Sequence, residues 1–354
     1  MTDISPLPPL TPDALDAALE AAFAPVAEAV GQGRIPGAAL GVVTADGARA
    51  VRWLGHAALV PEPEPLTRAH WFDLASLTKV MATTPAILRL ADEGRLDLDR
   101  PLTDAIPDLR QYDVAHAPER RITFRQCLTH ATHFPAVEPI YTYGDDPRRL
   151  KAFVLQREWR AGPPVYSDIN YILLGIALER LTGRACADQP LAPGLSFHPD
   201  PTRSVATERC AWRERVLKGE VHDENASALG GAAGHAGLFG TIDGVLDHAL
   251  GLLDGSGASA AAIRTMRTPT ERNRTAGWEC PFPGWSGGDA CSQDSIGHTG
   301  FTGTGLWIDF ARGVGWTLLT NRVHPTRHSD SGIFALRPAV GTTLVNTLDA
   351  ARPT

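Results

Sequence analysis

The sequence predicts a mixed α/β fold of the α+β kind, with one antiparallel sheet assembled from both ends of the chain and a mostly helical lobe inserted between them. Three observations carry this. A helix pattern followed by a hairpin pattern opens the chain, helical patterning dominates from Trp71 to about Gly240, and strand patterning returns from Gly297 before a last helix. The expected division is residues 1–70 with 241–354 as the α/β lobe and 71–240 as the helical lobe. Together they form a single catalytic unit with its site between them.

Thr11 is placed to cap a first helix, because Leu15, Ala18, Leu19, Ala22, Phe23, Val26 and Val30 follow the three-four rhythm and Gly31 follows as a stop. Ala38 to Val43 and Ala48 to Leu54 flank Thr44-Ala-Asp-Gly47, an Asp-Gly hairpin turn. Leu77 to Glu93 reads as a helix ended by Gly94, with Pro85 inside it removing the bond to the Met81 carbonyl. Ile169 to Leu181, stopped by Gly183, is a second apolar helix, and Asp188 to Pro201 is a proline-rich loop. Gly251 to Ala260 turns into a short alanine-rich helix. Leu306 to Asp309 and Val314 to Leu319 are strands around Ala311-Arg-Gly313, and Ile333 to Leu348 closes as a helix.

Composition sets the class. With 354 residues the chain can bury a full core. Its net charge is −7 and its arginines are scattered among 40 acidic residues, which argues against a nucleic-acid partner. The stretch Met1 to Pro9 has neither a basic nor an apolar segment, and no later stretch has the length of a membrane span. A cytoplasmic protein without a membrane partner is expected. The five cysteines lack Cys-x-x-Cys spacing, so neither a disulfide framework nor a cysteine-zinc site is expected.

Charge usage is the more specific signal. Only three of the 33 basic residues are lysine, and Lys79 stands three residues after Ser76 in Ser76-Leu-Thr-Lys79. An ammonium can lose its proton in a dry pocket where a guanidinium does not, and one helical turn puts both side chains on one face. The spacing alone is a weak signal. Two further segments join it. Tyr166-Ser167-Asp168 precedes the second apolar helix; Ser167 or Asp168 can cap that helix, while the Tyr166 phenol can pass a proton. His298-Thr299-Gly300 lies in a glycine-rich approach to an edge strand, where a substrate can lie against the backbone and a free N–H can face an oxyanion.

Ser76-x-x-Lys79, Tyr166-Ser-Asp168 and His298-Thr-Gly300, in that order, resemble the serine β-lactamase and penicillin-binding-protein-like family, which includes AmpC-type β-lactamases, D,D-peptidases and related esterases. The Ser76 to Leu90 run, Cys127-Leu-Thr-His130, Val221 to Asn225 and Gly234 to Phe239 extend the likeness. The resemblance implies that Ser76 is the acylated nucleophile, Lys79 its base and Tyr166 a proton shuttle, with the Ser76 and Phe301 amides forming the oxyanion hole. It implies a substrate-binding role for Asp168, His298, Thr299 and Gly300.

Two departures bear on the substrate. His298 stands where penicillin-recognising members carry lysine, and is a poorer anchor for a carboxylate. Asp168 stands where many carry asparagine; a carboxylate cannot donate to a substrate carbonyl and favours the ammonium form of Lys79. Both point away from strong β-lactamase or D,D-peptidase activity.

Gly284-Trp-Ser-Gly-Gly288 matches the nucleophile-elbow pattern, but prolines precede it and glycines follow, so Ser286 belongs to a loop. The spacings of His130, His133, His222 and His235 do not make a metal site. His222 and His235, with Asp223, are candidates for lining the cleft. The sequence therefore predicts a serine hydrolase without cofactor or metal, acting on a small ester, amide or peptide-like substrate through an acyl-enzyme. The alternatives are a non-hydrolytic sensor that keeps the pocket and an acyltransferase.

Overall fold

The computed structural model describes residues 10–160 and 162–352, so the reading of the first nine residues lies outside it. Helix α1 (Pro12–Gly31) begins with Thr11 accepting from the Ala14 amide at 3.2 Å. Strands β1 (Gly37–Thr44) and β2 (Arg49–Ala58) form the hairpin, with Gly47 at a φ of 87° in its turn, and β3 (Glu64–Pro65) extends the edge. The chain then leaves the sheet through β4 (Phe72–Asp73).

The middle of the chain holds α2 (Thr84–Asp92), α3 (Phe124–Leu128), α4 (Pro147–Gln156) and α5 (Asp168–Thr182), then β5 (Leu195–Ser196), the hairpin β6 (Ala206–Cys210) and β7 (Arg215–Lys218), α6 (Glu224–Ala228) and β8 (Phe239–Gly240). Gly183 ends α5 in the left-handed conformation that the stop signal requires. Pro85 has a specific consequence. The turn before it, Lys79–Thr83, is π-helical, and the Thr84 amide reaches back to the Lys79 carbonyl, so the helix widens by one residue where proline withholds its donor.

The return to the sheet passes through α7 (Ile242–Leu253) and α8 (Ala260–Arg267) to β9 (Ser295–Thr299), β10 (Gly305–Asp309), β11 (Val314–Thr320) and α9 (Ile333–Ala351). The main sheet has six strands in the order β3-β2-β1-β11-β10-β9, all antiparallel, so the first and last parts of the chain meet at the β1–β11 pair. Every residue of β1 and of β11 is buried, because both faces are covered. Ala38, Leu40 and Val42 face one core with α1, α9, Trp307 and Trp316; Ala39 and Val43 face the other, with Leu246 and Ala249 of α7. Gly41 lets α7 settle, since a Cβ there would stand 2.8 Å from the Leu246 side chain. Among the described residues no helix is long and apolar enough to cross a membrane, and the five cysteines are free thiols.

Leu344 on α9 is fully buried against α1 and the sheet. Leu344→Ala is expected to lower stability by about 2–5 kcal/mol, read as a lower denaturant midpoint with an unchanged slope.

Candidate active site

The turn carrying Ser76 is held from three sides. Asp73, at the end of β4, is buried and accepts from the Ala75 amide at 2.8 Å and the His222 amide at 2.6 Å. Burial raises its pKa, and the two amide bonds oppose that rise. Ala75 adopts a φ of 48°, a strained conformation for a residue with a Cβ, immediately before the candidate nucleophile. The Thr302 hydroxyl donates to the Asp73 carbonyl at 2.7 Å and the Thr304 hydroxyl to the Leu74 carbonyl at 3.1 Å, tying the β9–β10 connection to this turn. Gly300 is needed for that approach: a Cβ would come 2.1 Å from Thr304 Oγ1 and 2.5 Å from the Leu74 carbonyl oxygen. Thus the His298–Gly300 segment and Ser76 are brought together.

Lys79 is wholly buried, on the π turn that follows. Its Nζ lies 2.9 Å from Ser76 Oγ, 2.8 Å from Asp168 Oδ1 and 3.2 Å from the His235 carbonyl oxygen. Burial pulls the Lys79 pKa down, but the Asp168 carboxylate opposes it most strongly, and the net shift is upward. The resting side chain is an ammonium. In that form it donates to Ser76 Oγ and has no lone pair to take the hydroxyl proton.

The Tyr166 ring stands 4.5 Å from the ring of His130 and 5.8 Å from that of His298, with Lys79 Nζ and the Arg274 guanidinium each 5.0 Å from its centroid. Burial raises its pKa, the Lys79 ammonium opposes and Asp168 adds to the rise, so the phenol is neutral. The two flanking histidines are neutral as well. Burial depresses both, assisted by the cations Lys79 and Arg274. Their partners assign opposite tautomers: His130 Nδ1 accepts from the Ser167 amide at 3.0 Å, whereas His298 Nδ1 donates to the Thr299 carbonyl at 2.9 Å. His298 therefore offers no positive charge at the place where a family lysine stands.

Ser167 does not cap α5. Its hydroxyl donates to the Pro135 carbonyl at 2.6 Å, which leaves Asp168, at the first helical position, free to face Lys79. His222 and His235 sit differently from each other. His222 is stacked 5.7 Å from the Phe301 ring and shares a 3.0 Å hydrogen bond with Glu208. The His235 imidazole is buried on Asp223 at 2.9 Å, so only its carbonyl reaches Lys79. Ser286 accepts from the Trp307 indole at 3.1 Å, in the loop beside the terminal-helix core.

A cleft of ≈ 570 Å³ opens over Ser76, and its walls include Tyr166, Asp168, His222, Asp223, His298, Thr299, Gly300 and Phe301. Among the described residues the Ser76 and Phe301 amides donate to no protein acceptor. The same walls include Arg274, Arg322 and Arg337, which sequence reasoning did not select. In a chain with so many scattered arginines, no local pattern marks these three. In the sequence His130 stood in a family-like segment and among the histidines weighed for metal, and its contact with Tyr166 depends on a 36-residue excursion of the chain being closed by the Ser167 bond (37 residues from His130).

Comparison with known proteins places this geometry. The Beta-lactamase family model matches residues 20–339. The N-acetylmuramyl-L-alanine amidase of Bacillus subtilis (strain 168) is 29% identical over 314 residues, covering 75% of this chain and 71% of that protein. The putative D-alanyl-D-alanine carboxypeptidase of Escherichia coli (strain K12) is 28% identical over 324 residues, covering 75% and 72%. In fold, the chain is similar to a β-lactamase from Sulfitobacter sp. EE-36, with a TM-score of 0.72, 22% identity, and 97% and 100% of the two chains covered. A motif set, a fold and a family model thus coincide, and the chain belongs to the beta-lactamase family of serine hydrolases.

Proposed function

We propose that this chain hydrolyses an amide or ester through an acyl-enzyme on Ser76, and that the lobe of residues 71–240 brings Ser76, Lys79 and Tyr166 to meet His298 and Phe301 from the lobe of 1–70 with 241–354. The observation that carries this reading is the 2.9 Å contact of Lys79 Nζ with Ser76 Oγ inside a cleft bordered by two undonated amides. The two relatives above are named for an amidase and a carboxypeptidase, which supports an amide as the bond cleaved.

The charge on Lys79 shapes the proton route. Ser76 Oγ attacks the acyl carbon, and its proton moves to Lys79 Nζ as a Lys79 proton moves to the Asp168 carboxylate 2.8 Å away. The oxygen of the tetrahedral intermediate is received by the Ser76 and Phe301 amides. Collapse breaks the bond to the leaving group, which takes its proton through the neutral Tyr166 phenol from the Lys79–Asp168 pair. Water then attacks the acyl-enzyme and gives a proton to the same pair, which returns it to Ser76 Oγ as the bond to the acyl carbon breaks and the acid leaves. In this scheme Asp168 is a proton acceptor rather than a substrate ligand.

A second reading follows from the same ion pair. If Lys79 stays an ammonium throughout, water is not activated, and Ser76 remains acylated as in a sensor. Intact mass after mixing with an activated ester separates the two: transient mass gain supports hydrolysis, and a stable adduct supports the sensor.

Ser76→Ala is expected to lower turnover of nitrophenyl esters by about 10³-fold or more and to abolish the adduct. Unchanged turnover would sink the assignment of the nucleophile. With three lysines in the chain, ε-¹³C-lysine labelling resolves Lys79 directly. Its resonance should keep the ammonium shift to a pH above the ordinary lysine range in the parent and titrate at lower pH in Asp168→Asn, because the raising carboxylate is gone while burial remains. The same variant should lose about tenfold or more in kcat at pH 7 and regain activity as pH rises through the lowered Lys79 pKa. Full activity at pH 7 would remove Asp168 from the proton route.

A further inference from the structure

Pairing off the charges that border the cleft leaves two cations over. Asp168 is matched by Lys79 at 2.8 Å, Glu279 by Arg274 at 3.0 Å and Glu224 by Arg327 at 2.5 Å, while Asp223 shares a 2.9 Å hydrogen bond with the His235 imidazole. Arg322 and Arg337 also border the cleft, and among the described residues neither has a carboxylate partner. Arg322 Nε donates to the Phe301 carbonyl at 2.9 Å, and its guanidinium lies 4.8 Å from the centre of the Phe301 ring. Arg337, on α9, is only 4% exposed; its Nη2 donates to the Gly300 and Thr304 carbonyls at 2.8 and 2.7 Å, and its Nε has no partner among the described residues. Two guanidiniums without counter-ions, half-buried and buried, are costly unless an anion is present for part of the cycle.

Their position says which part of a substrate would supply it. Tyr166 stands by His298, at one end of the segment that crosses Ser76, and Arg322 stands by Phe301, at the other. A leaving group must lie within reach of its proton donor, so it occupies the Tyr166 end. A group held at the Phe301 end belongs to the acyl part, which stays on Ser76 after the first bond breaks.

We propose that Arg322, reinforced by Arg337 and resting on the Phe301 ring, is a subsite for a carboxylate carried by the acyl portion of the substrate. The proposal rests on the acyl-enzyme reading of Ser76. A singly charged carboxylate suits the place better than a phosphate, because the Asp223 carboxylate borders the same cleft and repels a second negative charge. The Phe301 and Phe334 rings, 51% and 82% exposed, offer apolar surface to the carbon chain between the carboxylate and the reacting carbonyl.

Two esters of equal acyl length test this: 4-nitrophenyl hydrogen glutarate, which ends in a carboxylate, and 4-nitrophenyl valerate, which ends in a methyl group. After subtraction of spontaneous hydrolysis, kcat/KM for the parent should favour the glutarate by about tenfold, more at low ionic strength, as a charge-assisted pair requires. Arg322→Met should bring the ratio of the two close to one, and Arg322→Lys should keep part of it. Equal kcat/KM for the two esters in the parent, or a ratio unchanged in Arg322→Met, overturns the subsite and leaves the Ser76 mechanism standing. If neither ester reacts in a Ser76-dependent way, by turnover or by adduct, the acyl-enzyme reading falls and the subsite falls with it.

Discussion

The site depends on one buried charge. Lys79 is fully enclosed, and an enclosed ammonium is stable only where its protons meet oxygen. Those oxygens come from three separate parts of the chain: Ser76 one turn earlier, Asp168 at the start of α5, and the His235 carbonyl just before β8. Satisfying one ammonium therefore brings the Ser76 turn, the Tyr166 segment and the glycine-rich run before β8 into a single arrangement. Ser167, Gly234 and Thr83 support it with bonds of their own: Ser167 through the Pro135 carbonyl, and Thr83 through the Gly234 carbonyl at 2.7 Å.

That charge also orders its surroundings. Cations close by hold His130 and His298 neutral, with burial as the larger cause, and their backbone partners choose their tautomers. The phenol of Tyr166 stays protonated for the same reason of burial. Around Ser76 the Tyr166 end of the cleft is thus neutral apart from the Lys79–Asp168 pair and the Arg274–Glu279 pair. Positive charge without an acidic partner collects at the Phe301 end, on Arg322 and Arg337. A substrate meets a cleft whose two ends differ in charge, which gives it a direction.

Much of the fold was legible because it rests on local rules. The Thr11 cap, the Asp-Gly hairpin, the Gly183 stop and the closing helix follow from capping, turn chemistry and three-four spacing, and each element lies within a few residues of its expected bounds. Helix α7 and the β6–β7 hairpin were not anticipated. The apolar residues of α7 sit amid glycines, and its job of covering the second face of the sheet becomes visible only once β1 and β11 are paired. Pro85 was expected to take one bond from its helix and bend it; the chain answers the missing donor with a wider turn that begins at Lys79.

By itself the sequence determined the reagents: a serine and a scarce lysine one turn apart, a tyrosine at a helix entrance, and a glycine-bearing strand end, in an order that resembles a known family. It also named the two departures, Asp168 and His298. Only the tertiary structure decided what those departures do. Whether Lys79 is an amine or an ammonium depends on a carboxylate 89 positions later standing 2.8 Å away, and electrostatic energy is set by distance and burial, which sequence separation does not encode. The same holds for Arg322 and Arg337, which are two arginines among many in the sequence and two unpaired charges in the fold.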